Sequence, residues 1–263
     1  MPSIILAREG PIARLRLNRP EVRNAINDEL ILELEKALKE IEKDKTIRVA
    51  ILSGEGDFFC AGADLNWMKS FVGASKKKNE TDARRLSNLL KSLNEFPKPT
   101  IAQVHGAAIG GGVGLLAACD ITVAFENTVF ALAEVKLGLV PAVISPFVIA
   151  RMGASAARRY FLTGERFTSD VALRVGLIHE AVPMERLETV VNDIARHLVS
   201  SGPEAVRQCK ELIRTVGAGL KTARTKDPIQ DYTVKKIAEL RASPEAQEGM
   251  KAFLEKRKPG WVS

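Results

Sequence analysis

Cysteine and histidine are scarce in this sequence, and their scarcity excludes several kinds of site. The 263 residues include three cysteines, Cys60, Cys119 and Cys209, which are too widely separated for a Cys-x-x-Cys metal site and too few for a disulfide framework. The three histidines are equally scattered, and no His-Glu-x-x-His spacing occurs. We therefore expect reduced thiols and no bound metal.

Long hydrophobic runs are also missing, and aromatic residues are few. No segment approaches the roughly 20 apolar residues that a membrane-spanning helix requires, and residues 1–3 lead into a strand-like segment rather than a signal-peptide core. Aromatic residues make up only 5% of the chain, and the basic runs at 76–78 and 255–258 contain none, which argues against nucleic-acid binding by base stacking. These absences predict a cytoplasmic protein without membrane or nucleic-acid partners.

The residues that are present predict a globular chain. Hydrophobic residues make up 46% and charged residues 27%, which is enough apolar material for a sizeable core. The formal net charge of +7 suits a polyanionic partner such as nucleotide phosphates, although excess lysine is more often simply a solvated surface.

Hydrophobic periodicity predicts alternating strands and helices over the first half of the chain. Strands are expected as a pair within residues 4–17, joined at Glu9-Gly10, and singly at 49–52, 100–104 and 121–124. Helices are expected at 28–43 with Asn27 as N-cap, at 80–95, and from glycines 110–112 through Ala117. This order predicts a layered α/β core.

Residues after Ser145 are predicted to be mainly helical. The expected helices span residues 154–162, 169–175, 184–200, 203–215 and 244–255. No low-complexity linker precedes them, so we expect this part to pack on its own core or on a neighbouring subunit rather than to form an independent domain.

Two glycine- and alanine-rich segments could approach a ligand with their main chains. Residues 59–65 follow a buried strand with small side chains, although a tight turn with Asp64 as helix cap accounts for the local pattern equally well. Residues 105–114 carry a strand end into a glycine-rich helix start, where unpaired N–H groups and the helix dipole favour an anion. Leu115 stands where a dinucleotide fingerprint needs its third glycine, which excludes that motif.

Glu134 is a carboxylate set among apolar residues. If it faces a cleft, loss of solvent raises its pKa toward the range useful for proton transfer. Taken alone, the segment favours a solvated or salt-bridged glutamate, for example one paired with Lys136.

Taken together and in this order, these segments resemble the crotonase (enoyl-CoA hydratase/isomerase) family across nearly the whole chain. The matching positions are Asn18-Arg19-Pro20 with Asn24-Ala25, residues 59–65, the glycine-rich turn with Cys119-Asp120, and residues 137–141, 158–164 and 172–178. The resemblance implies an α/β fold, a spiral of ββα units. Residues 1–195 would form the core that binds an acyl-CoA thioester, and residues 196–263 a helical region that builds trimers, commonly stacked into hexamers.

The resemblance also implies roles for individual residues. The main-chain N–H groups of Ala63 and Gly111 would form an oxyanion hole for the thioester carbonyl. Coenzyme A would enter as part of the substrate, without a separate cofactor. Its adenine and phosphate end would lie along Val22, Arg23, Ala61, Asp64 and Leu65. The remaining positions assigned to the substrate site are Gly110, Gly114, Trp67 and Val140.

Hydratases of the family commonly use two glutamates, and this sequence has one. Glu134 matches the second, while Gly114 stands at the position of the first. A lone Glu134 suits either water addition or movement of a double bond between carbons. A third alternative is a coenzyme A or RNA binding protein without catalysis.

Further residues are similar to one branch of the family. The segments around Trp67 and Met68, residues 134–147 and residues 252–259 look like those of bacterial methylglutaconyl-CoA and γ-carboxygeranoyl-CoA hydratases. The resemblance implies a branched or carboxylated enoyl-CoA such as 3-methylglutaconyl-CoA. A carboxylated substrate would require a cation at the far end of the acyl pocket.

Overall fold

The computed structural model describes residues 1–217 and 227–262, and their strands form two sheets. The strands are β1 (Ile4–Glu9), β2 (Ile12–Leu17), β3 (Val49–Gly54), β4 (Thr100–Val104), β5 (Ala107–Ile109), β6 (Ile121–Phe125), β7 (Val129–Ala131), β8 (Arg166–Thr168) and β9 (Glu180–Val182). The larger sheet has the order β1-β2-β3-β4-β6-β9, with β1 and β2 antiparallel and the other pairs parallel. The smaller sheet has the order β5-β7-β8.

The helices cover both faces of the larger sheet and dominate the end of the chain. They are α1 (Asp28–Lys43), α2 (Leu65–Lys69), α3 (Lys76–Asn94), α4 (Gly111–Ala118), α5 (Ser145–Thr163), α6 (Ser169–Arg174), α7 (Met184–Ser200), α8 (Pro203–Gly217), α9 (Pro228–Arg241) and α10 (Pro244–Leu254). Two short 3₁₀ helices lie at Pro20–Val22 and Ala133–Leu137. The predicted α/β class is confirmed.

The alternation of side chains along the parallel strands divides the core in two. On β3, Ala50 and Leu52 belong to the main apolar cluster, while Val49 and Ile51 point to the other face and pack with residues of α7. Both faces of the strand are therefore buried, which explains its continuous run of apolar residues.

Several predicted helices begin or end elsewhere in the structure. Helix α3 starts at Lys76 rather than residue 80, because the Ser75 side chain accepts a hydrogen bond from Lys78 N and caps the helix one turn earlier. Helix α5 is kinked at the non-helical Gly153, which has φ +71°, so the predicted helix at 154–162 forms its second half, whereas the first half from Ser145 was not predicted. Helix α9 and the short strands β5, β7, β8 and β9 were not predicted.

The predicted boundary between the core and the C-terminal region falls within a continuous helix. Helix α7 spans residues 184–200, so a division between residues 195 and 196 lies inside this helix. Within the described part of the chain, no helix is both long and apolar enough to cross a membrane.

Candidate active site

A cavity of about 540 Å³ opens between α2, α3 and the segment that follows the 3₁₀ helix at Ala133–Leu137. Its wall is predominantly apolar, and two of the proposed catalytic positions, Ala63 and Gly111, line it together with Glu134. The sequence places these three residues far apart, and the fold brings them to one space.

Hydrogen bonds join the two small-residue segments along their length. Cys60 N donates to Ala107 O at 3.1 Å, and Ile109 N donates to Cys60 O at 3.0 Å. A Cβ at Gly112 would lie 2.5 Å from the same Cys60 carbonyl oxygen, so only glycine permits this approach of the two main chains. The small residues thus set the spacing between the strand end and the start of α4.

Ala63 and Gly111 both lie next to Ile26. Ala63 is flanked by two hydrogen bonds to Ile26, from Ile26 N to Gly62 O at 2.7 Å and from Asp64 N to Ile26 O at 2.8 Å. A Cβ at Gly111 would lie 2.8 Å from Ile26 Cδ1. Among the described residues, neither N–H group has an acceptor, so both are available to a ligand oxygen.

Gly110 leaves room for the Glu134 carboxylate. Its backbone has φ +48° and ψ −112°, and Gly110 N donates to Ala131 O at 2.8 Å. A Cβ on Gly110 would lie 3.0 Å from Glu134 Oε1. The start of α4, which carries the Gly111 N–H group, therefore lies next to the Glu134 carboxylate. The predicted N–H donor and the predicted acid–base group thus belong to one site.

Glu134 has the environment of a proton-transfer group. Burial raises the pKa of its carboxyl group, and a backbone hydrogen bond opposes this only partly. Its Oε2 atom is buried without a hydrogen-bond partner among the described residues. The pairing with Lys136 that the sequence allowed does not occur: no ion pair joins the two residues in the described part of the chain.

The position of the missing first glutamate is closed by an apolar side chain. Gly114 is buried in α4, and a Cβ there would lie 2.3 Å from Ile144 Cγ2 and 3.5 Å from Leu90 Cδ1. Ile144 also lines the cavity. The absence of a side chain at Gly114 therefore leaves room for Ile144 in the cavity wall, a contact between distant residues that no local pattern indicates.

The predicted coenzyme A strip lies together on one part of the surface. Ala61 N donates to Arg23 O at 3.0 Å, which sets Val22 and Arg23 beside Ala61. The Arg23 guanidinium lies over the Phe58 ring, 5.1 Å from its centroid. Val22 is 37% exposed and Leu65 74%, so apolar surface is available here for a flat ring.

The Asp64 carboxylate stabilises the start of α2. It accepts hydrogen bonds from Asn66 N at 2.8 Å and Trp67 N at 3.1 Å, as the N-cap of α2, and from Arg19 at 2.8 Å. Burial alone would raise the pKa of Asp64, but these hydrogen bonds together lower it below its usual value. The helix-cap interpretation thus describes this side chain, and a coenzyme A contact of Asp64 stays a prediction.

Trp67 and Val140 line the cavity, and α3 supplies a wall that was not predicted. Trp67 packs edge-on against Phe71 with 5.0 Å between ring centroids. Val140 is 69% exposed and lies at the mouth. The α3 residues on the wall are Asn79, Asp82, Ala83 and Leu86. Their spacing of three, four and seven places them on one helix face, a signal that the sequence contained.

Comparisons with known proteins point to one family of enzymes. The sequence profile described as "Enoyl-CoA hydratase/isomerase" matches residues 7–263. The 2,3-dehydroadipyl-CoA hydratase of Escherichia coli is 35% identical over 98% of this chain and 98% of its own length. The short-chain-enoyl-CoA hydratase of Clostridium acetobutylicum is 32% identical over 97% and 96%.

Solved structures give the same result for the fold. The crystal structure of an enoyl-CoA hydratase from Shewanella pealeana superposes with a TM-score of 0.94 at 38% identity, covering 98% of this chain and 96% of that one. Pseudomonas aeruginosa AtuE gives 0.91 at 32% identity, with coverage of 99% and 100%. The chain therefore belongs to the enoyl-CoA hydratase/isomerase, or crotonase, family of enzymes.

Proposed function

We propose that this enzyme adds water across the double bond of a 2-enoyl-CoA thioester, with Glu134 as the acid–base group and Ala63 and Gly111 as the oxyanion hole. Glu134 takes a proton from water, whose oxygen bonds to carbon 3. The electron pair of the substrate's double bond forms a new double bond between carbons 1 and 2, and the π pair of the carbonyl moves onto the thioester oxygen, where the two N–H groups hold the enolate. Glu134 then returns the proton to carbon 2 on the same face.

One observation carries this proposal: two main-chain N–H groups and a buried carboxylate oxygen, all without a hydrogen-bond partner among the described residues, belong to residues that line one apolar cavity. Preorganised donors act mainly on the developing charge, and losing one typically costs roughly 100- to 1,000-fold in rate. Coenzyme A is part of the substrate, and the chemistry requires no separate cofactor.

A single carboxylate is consistent with a second reaction, the movement of a double bond without net addition of water. Ile144 fills the space beside Gly114, so no second carboxylate stands at this point to hold the water. This observation favours isomerisation as the second candidate reaction. In that case Glu134 would remove a proton from one carbon and deliver it to another through the same enolate.

The cavity supports a branched acyl group. Its predominantly apolar wall and volume of about 540 Å³ suit additional methyl groups. A carboxylated acyl group would require a cation, and among the described residues that line the cavity none is lysine, arginine or histidine. We therefore propose a branched acyl group without a terminal charge.

Mass-resolved turnover tests the proposal. Purified enzyme is incubated with crotonyl-CoA and with branched and carboxylated enoyl-CoA thioesters, and the products are weighed by mass spectrometry. Hydration adds the mass of water, whereas isomerisation leaves the mass unchanged. Glu134→Gln should lose most of the activity and still bind coenzyme A. Unchanged turnover in this variant would remove Glu134 from the mechanism, and no turnover of any thioester by the wild type would favour a binding protein.

We also propose that the chain forms a trimer, or a hexamer of two stacked trimers, through its C-terminal helices. Large apolar side chains are exposed on α9 and α10, among them Val234 at 60%, Phe253 at 83% and Leu254 at 79%. Such patches commonly mark contacts between subunits. Sedimentation equilibrium should give three or six times the mass of one chain, and a monomer at micromolar concentration would contradict this.

A further inference from the structure

The acyl cavity contains a second carboxylate besides Glu134. Asp82 occupies an inward-facing position of α3, where the other buried side chains of the helix are leucines. It is 7% exposed and lines the cavity together with Asn79 and Leu86. A buried carboxylate at a position where the helix pattern calls for an apolar residue is costly, which suggests a role in the site.

The nearest cation does not satisfy this carboxylate. Arg85 Nη1 lies 3.7 Å from Asp82 Oδ1, beyond hydrogen-bond distance, and donates to Asp28 Oδ1 at 2.9 Å. Arg85 is 48% exposed, whereas the Asp82 side chain is 10% exposed. Within the described residues, no hydrogen bond is made to the Asp82 carboxylate.

This arrangement has a consequence for the substrate. An ionised carboxylate accepts hydrogen bonds and cannot donate one, and its charge is screened less beside an apolar wall than in bulk water. A second carboxylate on the far end of an acyl chain would meet like charge, which the half-exposed Arg85 offsets only from outside the cavity, since no lysine, arginine or histidine is among the described lining residues.

We propose that Asp82 is a specificity-determining residue that excludes acyl groups ending in a carboxylate and restricts the cavity to acyl-CoA thioesters with uncharged acyl groups. This inference rests on the proposed function for the identity of the ligand as an acyl-CoA, and it names which members of that class the site accepts.

Binding of saturated thioesters tests the proposal without requiring turnover. Hexanoyl-CoA and adipyl-CoA have six-carbon acyl groups that differ only in a terminal methyl or carboxylate, and pentanoyl-CoA and glutaryl-CoA form a shorter pair. By calorimetry, the wild type should bind adipyl-CoA about tenfold or more weakly than hexanoyl-CoA. Asp82→Asn keeps the shape and removes the charge, and it should reduce this ratio to about threefold or less.

Glu80→Gln is the matched control, because it removes an exposed carboxylate of the same helix that lies outside the cavity. It should keep the wild-type ratio. Asp82→Ala repeats the test if the asparagine variant does not fold. Equal binding of both members of each pair by the wild type, or a wild-type ratio in the folded Asp82 variants, would overturn the inference. Discrimination in binding without hydration of crotonyl-CoA would overturn the proposed function alone.

Discussion

Replacing Gly110 with alanine should impair catalysis more than folding. The new Cβ would lie 3.0 Å from Glu134 Oε1 and 3.5 Å from Cδ. Ordinary contacts of this kind begin near 3.5 Å, so the carboxylate must retreat by roughly 0.5 Å. Because a displacement of about 1 Å can cost roughly 100-fold in rate, we expect kcat to fall about 10- to 100-fold with KM little changed.

The same substitution also strains the main chain. Gly110 has φ +48° and ψ −112°, a combination that side chains disfavour, so the free energy of unfolding should fall by about 1–3 kcal/mol. Steady-state kinetics with crotonyl-CoA and denaturant unfolding measure the two effects separately.

Gly10→Ala is the control variant, because it introduces backbone strain without a steric contact. Gly10 has φ +57° in the turn between β1 and β2, and a Cβ there would meet nothing within 4 Å. This control should lose about 1 kcal/mol of stability and keep its kcat. If kcat of the folded Gly110→Ala enzyme stayed within about twofold of the wild type, the contact between Gly110 and Glu134 would have no part in catalysis.

Three further predictions follow from the geometry. Since burial raises the pKa of Glu134, kcat/KM should decline on the acid side with a midpoint above the usual glutamate pKa. Glu134→Gln should lower kcat roughly 100- to 10,000-fold. A wild-type pH profile of kcat/KM without a decline at acid pH would contradict this account of Glu134. Gly106→Ala would place a Cβ 1.8 Å from Asp57 O at φ +64°, so denaturant unfolding should show a loss of about 3 kcal/mol or more, and a smaller loss would mean that the two main chains can separate. Arg19→Met leaves the buried Asp64 without its cation and should cost about 3 kcal/mol by the same measurement, whereas wild-type stability would show that the pair contributes nothing.

The pH dependence of stability has opposite signs for the two carboxylates. The pKa of Asp64 is lowered in the folded state, so its contribution to stability is present above the usual aspartate pKa and is lost as the pH falls. The pKa of Glu134 is raised, so its contribution is present at acid pH and is lost as the pH rises. The same burial that prepares Glu134 for proton transfer therefore costs stability at neutral pH.

Local patterns in the sequence predicted many of the longer helices and strands. The run at 49–52 and the Asn27 cap, whose side chain accepts from Leu30 N at 2.9 Å, gave β3 and α1 correctly. The strands β5, β7, β8 and β9 each have three residues, too few for a period-two pattern. Their positions depend on pairing with distant segments, which one sequence does not reveal.

Features of the site that depend on neighbouring residues in the sequence were predictable, whereas those that depend on contacts between distant residues were not. An isolated glutamate among apolar residues and a glycine-rich helix start are visible along the chain. The filling of the Gly114 position by Ile144 and the inward turn of Asp82 are not, because each depends on residues that only the fold brings together.

The infrared spectrum of a bound thioester tests the central claim most directly. Crotonyl-CoA with an isotope-labelled carbonyl is bound to Glu134→Gln, which should hold the substrate without turning it over. If the N–H groups of Ala63 and Gly111 both donate to the thioester oxygen, the carbonyl band should shift to lower frequency than in water. A band at the frequency of free crotonyl-CoA, or above it, would contradict the account.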